Sequence, residues 1–207
     1  MGNYSRSLAR ERLKSPRARL FVALDLPEGL RSGLADWQRA ELTDPALRPV
    51  RPESLHLTLV FLGYRPVKEI DRIAAAAFDV QAVAPTIELE LEPIGVPRGK
   101  RPRLFALDAP SEGAVALQGA VERRLVEEHF HKPEKRPFWP HLTVARVKPE
   151  KRGGRKPALV ERPPGPLPEH TFSFRPTPLV RLVLFRSQLR REGALYEPVA
   201  ELELPKQ

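Results

Sequence analysis

None of the chain's 207 residues is a cysteine. That excludes disulfides, thiolate metal sites and a cysteine nucleophile, and it fits a protein kept in a reducing compartment. Also missing is any apolar run near the roughly 18–20 residues that a membrane span needs. The opening stretch, "MGNYSRSLARERLKSPRAR", has no apolar core of the kind a signal peptide carries. Cytoplasm, with no membrane partner, is the expectation. No Gly-x-Ser-x-Gly turn is available to expose a serine nucleophile.

What the chain does have is basic charge. Lysine and arginine number 35 against 26 acidic residues, a formal net charge of +9. Such a surplus concentrates polyanions such as RNA or DNA near the surface, but it specifies no chemistry.

Three segments read as connectors. Residues 1–17 are polar and basic and predict a mobile tail. Residues 148–170, "KPEKRGGRKPALVERPPGPLPEH", are so rich in proline that their missing backbone donors argue against a central strand, and a long surface loop is expected. "PRGKRPR", 97–103, is a shorter basic connector in which Gly99 permits a tight bend. Between them, runs rich in Val, Leu, Phe and Ile predict strands over 19–26, 55–62, 86–92, 103–108, 141–147, 179–187 and 199–204. "IELELE" within 86–92 alternates with period two, as a half-buried strand does. Apolar residues at helical spacing predict helices over 28–41, 67–82 and 111–128. Recurring strand and helix make the class α+β or α/β.

The order of elements repeats. "RLFVALDLP" at 19–27 and "RLFALDAP" at 103–110 each read as a strand ending in Asp, then Pro, then a helix. Phe21 to Phe105 is 105 − 21 = 84 positions, and His56 to His141 is 141 − 56 = 85. Two related lobes are therefore expected, 18–97 and 98–204, each with one His-Leu-Thr strand, "HLTL" and "HLTV".

Residues i and i+2 of a strand point to one face. His56 then projects with Thr58, and His141 with Thr143, while Leu55, Leu57, Leu59, Leu142 and Val144 turn toward a core. A lone histidine in such a run is most often structural; two at matching places in a repeat are harder to set aside. If the lobes face each other, two imidazoles and two hydroxyls share a cleft. One imidazole can give a proton near neutrality while the other accepts one, and threonine hydroxyls can donate to the oxygens of an anion. A metal site is the weaker reading, because two histidines are too few ligands for zinc and neither motif has an adjacent acidic or third histidine ligand.

The paired tetrapeptides, with "RLFVALDLP", "PESLHLTLVFLG", "RPFWPHLTVAR" and "LVLFRSQLRREGALYE" in order, resemble the 2H phosphoesterases. Within them, the chain is most similar to the bacterial and archaeal RNA 2′,3′-cyclic phosphodiesterases, once described as 2′-5′ RNA ligases. The resemblance spans about 19–204. It implies an α+β, bilobal, pseudo-twofold fold in which each lobe is an antiparallel-type sheet with helices outside and the cleft lies between lobes. It further implies a monomer that opens 2′,3′-cyclic phosphate ends of RNA to 2′-phosphomonoesters without a cofactor. His56 would be the proton donor to the departing 3′-oxygen and His141 the proton acceptor that activates water, with Thr58 and Thr143 holding phosphate oxygens. Spacing alone leaves the two histidines interchangeable.

Arg146 stands five positions past His141, in the family's "HLTxxR" place, where its fork of donors suits phosphate. An odd offset turns it away from His141 unless the strand bends. Phe138 and Trp139 are candidates to stack a nucleobase, or to form a packed corner. Arg98, Lys100, Arg101 and Arg103 could track an RNA backbone. Ser187 and Tyr196 fall in family-like blocks without an assigned role, and His129, His131 and His170 read as surface residues. The alternatives are cleavage or ATP-independent joining of 2′-5′ linkages, and a non-catalytic module that binds RNA ends.

Overall fold

A computed structural model describes residues 16–169, 176–190 and 193–206. Most of the expected tail, 1–15, and His170 lie outside the described residues. The elements run β1 (Arg17–Asp25), α1 (Glu28–Glu41), β2 (Leu47–Pro49), β3 (His56–Pro66), α2 (Ile70–Phe78), β4 (Thr86–Ile87), β5 (Ile94–Val96), β6 (Leu104–Asp108), α3 (Glu112–Glu127), β7 (His141–Val147), β8 (Thr177–Pro178), β9 (Arg181–Arg190) and β10 (Gly193–Glu203). The class is α+β with antiparallel pairing throughout.

Each element forms because one side of it is apolar. On β1, Leu20, Val22 and Leu24 enter the main core, while Phe21 and Ala23 point the other way and meet Val183, Phe185 and Tyr196. Apolar residues on both faces suit a central strand, and β1 lies between β3 and β9. Helix α1 buries Leu30, Leu34 and Trp37, one stripe at helical spacing. Helix α3 buries Ala114, Leu117, Val121 and Leu125 and starts at Ser111, whose Oγ accepts from the Ala114 N–H at 3.1 Å. The helices pack their apolar stripes into the same core as Leu57, Leu59, Leu142 and Val144. The alternate residues of β3 and β7, His56, Thr58, His141 and Thr143, are therefore left on the opposite face of the sheet.

The main sheet is continuous, in the order β10-β9-β1-β3-β7-β6-β5, with β2 also on β7. Strands β3 and β7 meet at a single residue pair, Leu57 with Leu142. Farther along the same edge of β7, β2 takes over, pairing Leu47, Arg48 and Pro49 with Val147, Arg146 and Ala145.

The expected boundary at 97/98 does not separate two sheets. β9 and β10 come from the second stretch yet extend the sheet on the β1 side, whereas β2 and β5 come from the first and pair with β7 and β6. The strand expected over 86–92 is a ladder only at Thr86–Ile87, against β8. Ile87 and Leu89 are buried between exposed Glu88 and Glu90, so the alternation is real. It lacks a neighbouring strand long enough to turn burial into a ladder.

Residues 148–169 carry no helix or strand, only a bridge between Pro149 and Pro157. Side chains of the body fasten them down. The Asp44 carboxylate accepts from the N–H groups of Ala46, Glu161 and Arg162 at 2.7, 2.8 and 2.8 Å. Those donors, Arg162 foremost, hold Asp44 below the usual carboxylate range. Trp37 Nε1 donates to the Pro166 carbonyl at 3.1 Å, and Leu167 is buried.

Candidate active site

The Leu57–Leu142 pair organises the site. Strands running in opposite directions from it carry His56 toward Thr143 and Thr58 toward His141, all four on the face away from the helices. Together they line one pocket of about 500 Å³.

Both rings are oriented by the same device. His56 Nδ1 lies 2.8 Å from the Ser54 carbonyl and His141 Nδ1 lies 2.7 Å from the Trp139 carbonyl, each two residues back along its own chain. A carbonyl only accepts, so each Nδ1 carries a hydrogen and each Nε2 is the nitrogen left for proton exchange. The register also sets Asp25 beside His56 and Asp108 beside His141. Asp25 is held by Arg31 at 2.8 Å and Arg181 at 3.1 Å, and Asp108 accepts from Trp139 Nε1.

The surroundings of the two rings differ. Phe21 and Tyr196 flank His56 with centroids at 4.8 and 5.0 Å, whereas the Trp139 ring stacks on His141 at 4.0 Å and 15°. Burial pulls His56 down to about 4, against the upward pull of the Ser54 carbonyl. Burial lowers His141 too, opposed by the Trp139 carbonyl and the Asp108 charge.

Arg146 lines the same pocket despite its odd offset. The register of β6 on β7 slips between Phe105 and Ala106, opposite Ala145 and Thr143, leaving Val144 as the extra residue of a bulge. Val144 and Ala145 are both buried, and Arg146 comes round to the histidine face. β3 does the same opposite Val22 and Ala23, with Leu59 the extra residue, so Phe61 also turns to the pocket, five positions past its own histidine.

Phe138 is not among the pocket's lining; it packs, half-buried, against the core. Arg98 reaches Asp108 at 3.9 Å and Arg101 pairs with Glu150 at 3.0 Å, so half of the 98–103 basic cluster has local carboxylate partners. His129 is exposed. His131 is not a surface residue: its side chain is 9% exposed, with Nε2 3.4 Å from Glu122. Ser187 and Tyr196, to which sequence gives no role, line the pocket, as do Arg19, Arg48, Ser54 and Phe61, which motif and spacing do not single out. Only Phe61 leaves a trace in sequence, because it holds the place in "HLTLVF" that Arg146 holds in "HLTVAR".

The fold and pocket define a class of protein: an antiparallel α+β sheet that presents two His-x-Thr strands side by side to one basic pocket. A family model described as the 2′-5′ RNA ligase superfamily matches residues 26–178, and the chain belongs to that family. It is 31% identical to the RNA 2′,3′-cyclic phosphodiesterase of Thermus thermophilus over 192 residues, covering 90% of each chain. The Escherichia coli RNA 2′,3′-cyclic phosphodiesterase is 27% identical over 87% of this chain and 93% of its own. Among solved structures, a Thermus thermophilus protein superposes with a TM-score of 0.73 at 30% identity, over 91% of this chain and 99% of that one. E. coli LigT in its apo form superposes with a TM-score of 0.71 at 23% identity, over 93% and 100%, a likeness of fold.

Proposed function

We propose that the protein hydrolyses 2′,3′-cyclic phosphate ends of RNA to 2′-phosphomonoesters, with His56 and His141 as the proton-transfer pair. In this reading the β1–β3 and β6–β7 units are pseudo-twofold equivalents and the pocket is the cleft between them. The observation that carries it is the matched pair of imidazoles, each tied through Nδ1 to a carbonyl and each with a threonine of the other motif beside it. Binding alone requires no such matched donor and acceptor. The names of the curated relatives point to the same substrate.

In the proposed reaction the cyclic phosphate sits between Thr58 and Thr143, with Arg146 neutralising its charge. His141 Nε2 takes a proton from water as the water oxygen bonds to phosphorus. The bond from phosphorus to the ribose 3′-oxygen breaks, and His56 Nε2 gives that oxygen its proton. The 2′-ester survives, and the two histidines finish with exchanged protonation that solvent resets. The proposed chemistry rests on the imidazoles and acts in a monomer in the cytoplasm; among the described residues no three His, Asp or Glu side chains cluster as a metal site.

The test is a defined oligoribonucleotide ending in a 2′,3′-cyclic phosphate, incubated with and without EDTA. A 2′-phosphate product at an unchanged rate in EDTA is expected. A 3′-phosphate product, or activity that vanishes in EDTA and returns with zinc or magnesium, would refute the mechanism. Tight binding without turnover would leave an RNA-end binding module as the better reading.

A further inference from the structure

We infer that Arg48, Arg146 and Ser54 form a second anion subsite, which receives a phosphoryl group on the 5′-oxygen of the nucleotide whose cyclic phosphate is opened. This rests on the proposed function and extends it to the class of RNA end the pocket selects.

The first observation is a pair of like charges. β2 sets Arg48 directly opposite Arg146 on β7, an arrangement that destabilises a sheet unless something neutralises it. Elsewhere arginines meet carboxylates: Arg31 with Asp25, Arg124 with Asp79 and Glu127, Arg181 with Asp25 and Glu201. Among the described residues, neither Arg48 nor Arg146 has a carboxylate within ion-pair distance and no Asp or Glu lines the recess they share. The reacting phosphate answers Arg146, but Arg48 beside it still lacks an anion, and its forked donors suit the oxygens of a second phosphate.

The second observation is independent. Ser54 is 4% exposed and lines the same recess, yet its buried Oγ has no hydrogen-bond partner among the described residues. Buried hydroxyls are ordinarily paired, and an unpaired one facing a recess marks a place for a ligand oxygen. The Ser54 carbonyl already holds His56, so this one residue joins the subsite to the reacting centre.

Position separates this subsite from the reacting phosphate. Arg146 stands three residues beyond Thr143, one of them the extra residue of the bulge, and among the described residues the recess it shares with Arg48 and Arg51 is lined by neither histidine nor either threonine of the motifs. A phosphate held by the threonines and a second one held by Arg48 and Ser54 would then have Arg146 between them. An internucleotide diester and a terminal 5′-phosphate share the required chemistry.

Three substrates distinguish them: adenosine 2′,3′-cyclic phosphate, the same nucleotide with a 5′-phosphate, and a dinucleotide ending in a 2′,3′-cyclic phosphate. In the wild type, kcat/KM is expected to be about tenfold or more higher for at least one 5′-phosphorylated substrate than for the unphosphorylated nucleotide, as a charge-assisted contact allows. Preference for the dinucleotide identifies an RNA chain, and preference for the 5′-phosphate alone identifies a free nucleotide. Arg48→Gln should bring the ratio close to one, and Ser54→Ala, which keeps the carbonyl that holds His56, should lower it less. Equal kcat/KM for all three in the wild type, or an equal loss on all three in Arg48→Gln, overturns the subsite. Calorimetric binding of adenosine 3′,5′-bisphosphate against adenosine 3′-monophosphate needs no turnover. About tenfold tighter binding of the bisphosphate, lost in Arg48→Gln, supports the subsite even if none of the three is hydrolysed, an outcome that would sink the proposed reaction instead. Equal affinities overturn the subsite whatever the kinetics show.

Discussion

Replacing either His56 or His141 by alanine is expected to cut turnover of a cyclic-phosphate oligonucleotide by about 10²–10⁴-fold, the usual contribution of a positioned acid or base. The double variant should be little worse than the worse single one, because residues that act as a unit do not lose rate additively. Thr58→Val and Thr143→Val should lose less, since each removes one donor while Arg146 and the other threonine remain on the phosphate. Both rings lie on the sheet face opposite the helix-packed core, so circular dichroism should show folded protein in both alanine variants. Near-normal turnover in either folded variant would reject the two-histidine mechanism. The roles separate on a ribonucleoside 2′-(4-nitrophenyl phosphate), whose leaving group departs without a proton. There the 3′-hydroxyl displaces nitrophenolate from the place of water, so His141→Ala should recover most of its rate if His56 serves the 3′-oxygen and His141 the water, and His56→Ala should not.

The second large effect is on pH dependence. Burial pulls His56 down to about 4 in the free protein and lowers His141 from 6.5 as well. A donor role for His56 relies on the substrate anion, whose charge beside Nε2 raises both rings. The reaction needs one protonated and one neutral imidazole, so kcat/KM, which reports the free protein, should be bell-shaped with its maximum between about pH 4 and 6.5. Above that range it should fall about tenfold per pH unit, and kcat, measured with phosphate bound, should peak at higher pH. A kcat/KM that rises through pH 8 would contradict the buried, depressed pair.

Stability should follow the same titration. The folded pKa of His56 lies below its unfolded value, so its contribution is complete above about pH 6.5 and is lost as pH falls toward 4. The loss is on the order of 2 kcal/mol. Denaturant melts at pH 7 and pH 4.5 should show a smaller pH difference in His56→Phe than in the wild type.

Much of this architecture is legible in the residues themselves. The 28–41 helix and the 141–147 strand have the bounds their patterns predict, because both have strict periodicity and a clear change of composition at each end. Strand parity puts His56 with Thr58 and His141 with Thr143, since the bulges fall only after each His-x-Thr. Beyond the bulge, parity fails: Arg146 and Phe61 face the pocket because one extra residue in each strand reverses the alternation. The family's spacing, rather than strand geometry, points to Arg146. Arg48 is invisible in sequence, because a three-residue strand has no period to detect and the strand it pairs with lies about a hundred residues away.

By itself the sequence determined the class of fold, the two His-x-Thr faces and the chemistry they could support, since each depends on residue type and on spacing within one strand. Tertiary structure alone decided that the halves join into a single sheet through Leu57 and Leu142, that β9 and β10 return beside β1, and that Arg48 stands against Arg146. Those outcomes depend on which distant strand edges pair. Edge pairing is governed by burial of whole faces and by loop closure, which leave no local mark on the residues that meet.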